Sequence, residues 1–306
     1  MTFAADDAVD RRRLKRRLSA WRAVAIVAVA VAVAAGIGRM TGGITGKHIA
    51  RVTIKGTITE DLERDRTIKE LADSRLVKAV IVHVDSPGGT VVGGERLYRT
   101  LRKLAEKRPV VTVMGTTATS AGYMVALGAD RVVASHGSVT GSIGVIMQTT
   151  DLTKLLETIG VTAEAIKSGA LKGVPSPLEK LTPEARRATQ AVVDDIYRMF
   201  VDLVVERRKM GRDAARDIAD GRVYTGRQAV DNGLVDELGG EDEALAWLKK
   251  EHGVDDKLPI EDVDIDPPVS AAGIFGRAMA RWALGGKMLV SERLTLDGLV
   301  SVWHPQ

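Results

Sequence analysis

The chain has 306 residues, a net charge of +4 and no cysteine. The length allows one large or two small domains, and the lack of cysteine excludes disulfides, thiol catalysis and cysteine-based zinc sites. The positive charge is concentrated in residues 1–47, which carry nine Lys/Arg and three Asp/Glu, whereas the remainder carries −2. Because a nucleic-acid-binding domain shows its basic excess on the folded part, this distribution argues against nucleic-acid binding.

The N-terminal region predicts a membrane anchor. A basic stretch at 11–17 precedes 16 uncharged residues, 23–38, which reach spanning length if 18–21 enter the bilayer with Arg22 snorkelling. The positive-inside rule then predicts a cytoplasmic basic tail (1–22), a single-pass inner-membrane anchor (23–38), a linker (39–47) and an extracytoplasmic body. A cleaved signal peptide stays open, because Ala32-Val33-Ala34 has the small-x-small pattern.

The body alternates strand-like and helix-like runs, which predicts an α/β fold with a mostly parallel sheet and outer helices. Predicted strands are 49–54, 77–84, 109–114, 131–134 and 162–166, and predicted helices include 68–76, 94–107, 123–127, 152–159 and 241–252. Thr182-Pro183-Glu184 is typical of a helix start, and this helix is expected to run to about Lys209. A short strand and helix are expected within 221–238. The acidic, proline-containing stretch 255–268 is interpreted as a linker, and no role is assigned to 254–306 as a whole.

Ser120 stands where a strand gives way to a helix, in Thr117-Ala118-Thr119-Ser120-Ala121-Gly122-Tyr123. A serine there presents its hydroxyl at a strand end, and the helix N-terminus behind it offers N–H groups to a developing oxyanion. An ordinary N-cap serine is the alternative interpretation.

A nucleophilic serine needs a base, and two kinds of residue are candidates. His136 is the one histidine whose position suits the role, 16 residues after Ser120. A lysine can also accept the proton if burial keeps it neutral, and Lys167 and Lys172 lie in a loop bounded by glycine and proline.

Two glycines, Gly88 and Gly89, follow a buried strand and let the backbone approach a ligand closely. With the N–H of Ala121 they form a candidate oxyanion hole. A plain turn and a phosphate loop are the alternatives, although neither Gly-x-x-x-x-Gly-Lys-Ser/Thr nor Gly-x-Gly-x-x-Gly occurs here.

These pieces, in this order, resemble the signal peptide peptidase A (SppA) family of serine–lysine proteases, in its short single-repeat form. The resemblance covers about residues 48–253. It rests on Asp85-Ser86-Pro87-Gly88-Gly89, Thr119-Ser120-Ala121-Gly122-Tyr123, Thr140-Gly141-Ser142-Ile143-Gly144-Val145, Lys167-Ser168-Gly169-Ala170-Leu171-Lys172 with Ser176-Pro177, Leu181-Thr182-Pro183-Glu184, 221–229 and 233–239.

The resemblance implies roles for five parts of the chain. Ser120 is the expected nucleophile, Lys172 the general base and Ser142 the residue that orients the lysine, while Lys167 is structural or faces substrate. Gly88, Gly89 and Ala121 are expected to supply oxyanion N–H groups. The family often has Asn at Asp85 and Gly at Ala121, so the Asp85 carboxylate is expected near the oxyanion donors.

The resemblance also implies a fold of the crotonase/Clp-protease type, with repeated ββα units, and a protease domain at 48–253. It implies a membrane-tethered, ring-shaped homo-oligomer that degrades remnant signal peptides and other apolar peptides with no metal or cofactor. Two alternatives remain at this point: an acyl-CoA-processing enzyme of the same superfamily, and a non-catalytic ring-forming scaffold.

Overall fold

The computed structural model describes residues 21–22, 24–28, 46–265 and 300–302. The chain divides into two units at Gly46, and in the first of them residues 21–22 and 24–28 are helical and exposed. Among the described residues, no helix has both the length and the apolarity needed to cross a membrane. Most of the expected tail (1–22), anchor (23–38) and linker (39–47), and most of 254–306, lie outside the described residues, so these assignments stay predictions.

The second unit is built on a mixed sheet. The described strands are β1 (His48–Lys55), β2 (Val77–Ser86), β3 (Gly88–Thr90), β4 (Val110–Thr119), β5 (Arg131–Ala134), β6 (Val139–Gly141), β7 (Val223–Thr225), β8 (Glu237–Leu238), β9 (Ile260–Val263) and β10 (Val300–Val302). β3 and β10 form a separate two-stranded sheet, and the other strands form the main sheet. The main order is β7-β6-β4-β2-β1-β9, with β5 between β4 and β8. All pairs in this sheet are parallel except β6–β7.

Eight helices are described in this unit: α1 (Leu62–Asp73), α2 (Val91–Ala105), α3 (Ala121–Ala126), α4 (Thr153–Thr158), α5 (Pro183–Arg208), α6 (Arg212–Ile218), α7 (Gly226–Asp231) and α8 (Glu241–His252). The predicted α/β class with a mostly parallel sheet is confirmed. The order β2-β3-α2 also gives one ββα unit.

The central strands are apolar on both sides because helices cover both faces of the sheet. On one face, Val80 and Val82 of β2 pack in a core shared with Leu97, Leu101 and Met124 of α2 and α3. On the other face, a second and smaller core joins residues of the sheet to α8, and its members include Ile81, Val111, Val133, Ala244 and Leu248.

The sheet divides at β4, and this division positions the strand end that carries Ser120. Residues 111–114 of β4 pair with β5, whereas residues 117–119 pair with β6. The register between β2 and β4 shifts at this point, where the carboxylate of Asp85 accepts a hydrogen bond from the Thr117 N–H at 3.1 Å. Asp85 therefore secures an irregular strand.

Helix starts follow their capping residues. The Thr182 hydroxyl accepts from the Ala185 N–H at 3.1 Å, which confirms the predicted start of α5. The helix expected from residue 94 begins at Val91, because Thr90 caps the Gly93 N–H at 3.1 Å. The helix expected from residue 68 begins at Leu62, because Asp61 accepts from the N–H groups of Glu63 and Arg64.

Two predictions for the body are wrong. Residues 162–166 form no strand: they lie exposed, without a neighbouring strand to pair with. The stretch 255–268 is not simply a linker, because Ile260–Val263 forms β9, parallel to β1. Its acidic Asp262 binds Arg51 at 2.6 Å, so the charge that suggested a linker is neutralised at the sheet edge.

Candidate active site

Ser120 has a strained backbone. Its φ is 57° and its ψ is −120°, in a region that residues other than glycine rarely adopt and that concentrates at functional sites. The residue is 1% exposed. Its N–H donates to the Gly141 carbonyl at 2.8 Å, and its own carbonyl accepts from the Met124 N–H at 2.9 Å. The surrounding strands and helix thus hold a sharp turn from β4 into α3.

Small residues let this turn lie against the segment between β2 and β3. A Cβ on Gly122 would stand 2.9 Å from the Ser86 carbonyl oxygen, and a Cβ on Gly94 would stand 3.0 Å from the Cβ of Ala121. The Thr119 hydroxyl donates to the Pro87 carbonyl at 3.0 Å. Ser120 is therefore fixed beside the start of β3.

The predicted oxyanion donors Gly88, Gly89 and Ala121 lie beside the Ser120 turn, each in a different local environment. Gly88 has a φ of 115°, and its N–H donates to the Ser86 hydroxyl at 3.1 Å. Gly89 has no room for a side chain, since a Cβ would stand 1.9 Å from the Ile58 carbonyl oxygen. Ala121 is buried and opens α3, where a first-turn N–H has no acceptor within the helix.

Ser142 is brought next to Ser120 through the Gly141 carbonyl. It is 9% exposed, has a φ of 49°, and its N–H donates to the Arg222 carbonyl at 2.8 Å. Among the described non-glycine residues, positive φ values occur at Ser120, Ser142 and Lys209. Two of these three strained positions are thus the two serines singled out from the sequence.

Lys172 does not share this burial. It lies exposed in a turn, where its N–H donates to the Gly169 carbonyl at 3.0 Å. None of the residues from Gly144 to Leu181, which we call the lysine-bearing segment, is buried. Lys167, on the same segment, pairs with Glu179, which fits the structural role expected for it.

His136 is not placed to act on Ser120. It is exposed in the turn between β5 and β6. Val139 pairs with Thr117 and Gly141 with Thr119, so this turn lies at the end of β6 away from Ser120.

Three site contacts had no counterpart in the sequence reasoning: the Ser86 hydroxyl on Gly88, the Gly141 carbonyl on Ser120, and the Arg222 carbonyl on Ser142. The sequence feature that could have indicated these contacts is the glycine at position 141. Its φ of 85° and its closeness to the Tyr224 ring leave no room for a side chain. The contacts are made by backbone or by a short hydroxyl, and spacing alone does not reveal such partners.

An α/β sheet that ends in a buried, strained serine at a helix N-terminus is the framework of a nucleophilic-serine enzyme. The family model described as Peptidase family S49 matches residues 102–255, a range that includes Ser120, Ser142 and Lys172. The chain belongs to peptidase family S49, and this membership makes it a serine-type protease.

Named relatives agree with this assignment. "Putative protease slr0021" of Synechocystis sp. is 38% identical over 228 residues, which cover 74% of this chain and 82% of the relative. "Putative signal peptide peptidase SppA" of Enterococcus faecium is 34% identical over 266 residues, which cover 82% of this chain and 77% of the relative. "Serine protease SPPA, chloroplastic" of Arabidopsis thaliana is 30% identical over 274 residues, which cover 83% of this chain and 40% of the relative.

Among solved structures, a point mutant of the 1510-N membrane-bound stomatin-specific protease aligns with 73% of this chain and all of its own. The sequence identity is 16% and the TM-score is 0.47.

Proposed function

We propose that this chain is a serine endopeptidase in which Ser120 is the nucleophile and Lys172 the general base. The observation that carries the proposal is the buried, strained Ser120 at the start of α3. In the first step the Ser120 Oγ attacks the peptide carbonyl and its proton passes to neutral Lys172. N–H groups of Ala121 and of the Gly88-Gly89 pair stabilise the oxyanion.

Collapse of the tetrahedral intermediate breaks the peptide bond. The leaving amine takes the proton from Lys172, and the acyl group stays on Ser120. Lys172 then takes a proton from water, which attacks the ester, and the second collapse returns that proton to Ser120. No metal or cofactor enters these steps.

The exposure of Lys172 supports an assembly of several copies. A lysine is neutral near pH 7 only where burial or a nearby cation disfavours its charge. The lysine-bearing segment also displays uncovered apolar side chains: Ile146, Leu155, Ile159, Val161, Ile166, Leu171 and Leu178. Seven exposed apolar side chains on one segment favour an interaction surface there. We therefore place Lys172 in a homo-oligomeric ring, against the Ser120 of a neighbouring copy.

The proposed substrates are apolar peptides, including cleaved signal peptides, as the name of the Enterococcus faecium relative suggests. Residues 23–38 serve in this proposal as a single-pass anchor in the inner membrane, with the protease on the extracytoplasmic side. Membership in a protease family weighs against the acyl-CoA and scaffold alternatives, and no observation on the described residues favours either.

The test is cleavage of a fluorogenic apolar peptide by the full-length protein in detergent. Ser120→Ala and Lys172→Met are each expected to reduce kcat by at least about 10³-fold, since each removes a reacting group. Lys180→Met is the matched control, because it removes another exposed lysine of the same segment. If Lys172→Met matched the control while Ser120→Ala was inactive, Lys172 would not be the base.

A further inference from the structure

Residues 162–175 carry the proposed base Lys172 and have no regular structure of their own. They form no strand or helix, and none of them is buried. One described hydrogen bond lies within the stretch, from the Lys172 N–H to the Gly169 carbonyl at 3.0 Å. Among the described residues, the Lys167 ammonium alone bonds outside the stretch, to the Glu179 carboxylate. This ion pair is therefore the polar contact that ties the base-carrying loop to the rest of the chain.

The Lys167–Glu179 pair is more enclosed than its surroundings. The side chains of Lys167 and Glu179 are 18% and 36% exposed, whereas the neighbouring Ile166 is fully exposed. An ion pair that lies entirely in water contributes little, because water screens the charges and two long side chains must be ordered. Partial removal from water strengthens the attraction between the charges. The pair is thus suited to hold two stretches of chain together.

Glu179 belongs to a part of the lysine-bearing segment that is itself anchored. The Leu152 N–H, at the start of α4, donates to the Pro177 carbonyl at 2.9 Å. The Leu178 N–H donates to the Ser176 hydroxyl at 3.2 Å. Residues 176–179 are therefore fixed against α4, and the ion pair extends this anchoring to Lys167. Fixing both ends of a loop reduces the number of conformations available between them.

We propose that Lys167 and Glu179 are positioning residues for the general base: their ion pair closes the loop 168–178 and fixes where Lys172 is presented. This inference rests on the proposed peptidase function. Lys172 stands five residues after Lys167 and seven before Glu179 (172 − 167 and 179 − 172), near the middle of the closed loop. A base must come within hydrogen-bond reach of the nucleophile, and a misplacement of about 1 Å can cost about 10²-fold in rate.

The first experiment measures peptide cleavage by the full chain with Lys167→Met. The value of kcat is expected to fall about 10- to 100-fold, because the loop no longer holds the base in one place. KM should stay within about twofold of wild type, because the pair positions the base and does not hold substrate. Lys180→Met, at an exposed lysine of the same segment, is the matched control and should keep the wild-type kcat. An unchanged kcat, or a raised KM with kcat unchanged, would overturn the proposal.

The second experiment exchanges the two charges. Lys167→Glu and Glu179→Lys should each lower kcat at least as much as Lys167→Met, because each places two like charges together. The double variant restores an ion pair of opposite polarity and should recover kcat to within about threefold of wild type. Lys167→Arg, which keeps the charge, should remain similarly active. A double variant as impaired as the two single variants would contradict the role of the pair.

The third experiment separates the loop closure from the peptidase function. In a Ser120→Ala background, hydrogen exchange at residues 168–178 should become several-fold faster with Lys167→Met and return to the parental rate in the charge-exchanged double variant. Exchange in β2 should not change, which shows that the domain stays folded. Unchanged exchange at 168–178 would overturn the proposal. Faster exchange there, together with full activity of Lys172→Met, would refute the assignment of the base and leave the closure of the loop intact.

Discussion

Ser120 depends on a neighbour that has no reactive side chain. The Gly141 carbonyl accepts the Ser120 N–H, and Gly141 itself has a φ of 85° with the Tyr224 ring 2.7 Å from where a Cβ would be. The strained serine is therefore supported by a second residue in an unusual conformation. Both must be correct for the hydroxyl to be aimed at substrate.

Gly141→Ala is expected to destabilise the fold by about 1–3 kcal/mol and to lower kcat. The matched control is Gly137→Ala in the preceding turn, where a Cβ would meet nothing within 4 Å. Denaturant unfolding and peptide cleavage measure the two effects. Equal behaviour of the two variants would show that Gly141 does not constrain the site.

Tyr123 links the nucleophile helix to the C-terminal part of the domain. Its buried hydroxyl donates to the Leu234 carbonyl at 2.9 Å, and burial raises the pKa of this hydroxyl well above its ordinary value. The Tyr123 hydroxyl therefore stays protonated in the folded state.

Tyr123→Phe is expected to lower the free energy of unfolding by about 0.5–1.5 kcal/mol at pH 7. Because the unfolded tyrosine ionises near pH 10 and the folded one does not, wild-type stability is lost as pH rises beyond about 10. The advantage of wild type over Tyr123→Phe should therefore shrink above about pH 10 in denaturant unfolding. A difference that stayed constant to about pH 11 would contradict the account.

Residue type and local order in the sequence singled out Ser120 and the two glycines, and the family resemblance added Ser142. Neither found Ser86 as the partner of the Gly88 N–H, because a hydroxyl two residues away is one of many short-range options for a turn. The sequence also could not predict that Lys172 is exposed, since burial depends on packing partners that are distant in sequence.

At the scale of elements, β9 shows how an acidic stretch joins a sheet. Arg51 on β1 binds Asp262 at 2.6 Å and Glu241 at 3.0 Å, and the hydrogen bond from Arg51 lowers the pKa of Asp262. The strand expected at 162–166 did not form for the opposite reason: this exposed stretch pairs with no strand of the described sheet. Periodicity predicts the capacity to form a strand, but pairing decides the outcome.

Arg51→Met is expected to loosen β9 without unfolding the domain, because it removes the charged contacts that hold this edge strand. Hydrogen exchange should show protection falling at 260–263 while β2 keeps its protection. Arg66→Met, at an exposed position of α1, is the control. Unchanged protection at 260–263 would mean that backbone pairing alone secures β9.

At the scale of the whole molecule, the lysine-bearing segment is the part that a single chain leaves uncovered. Its helix α4 buries none of its residues, and Leu155 and Ile159 are 56% and 62% exposed. A surface that contributes nothing to the core of one chain but carries the proposed base is understandable if another copy covers it.

Leu155→Glu is expected to disrupt the proposed ring and abolish cleavage while changing the stability of the single domain by no more than about 0.5 kcal/mol. Thr158→Glu, also exposed on α4, is a control for added charge. Light scattering with size-exclusion chromatography measures the mass. An unchanged mass would place the interface elsewhere.

The measurement that tests the central claim most directly is complementation between two inactive subunits. Ser120→Ala and Lys172→Met chains, each with a different affinity tag, are co-expressed and purified through both tags. If each site joins Ser120 of one copy to Lys172 of another, mixed assemblies should regain roughly a quarter of wild-type cleavage, because random assembly in a closed ring pairs two intact residues at that frequency. Mixed assemblies that remain as inactive as either parent would contradict an active site shared between copies.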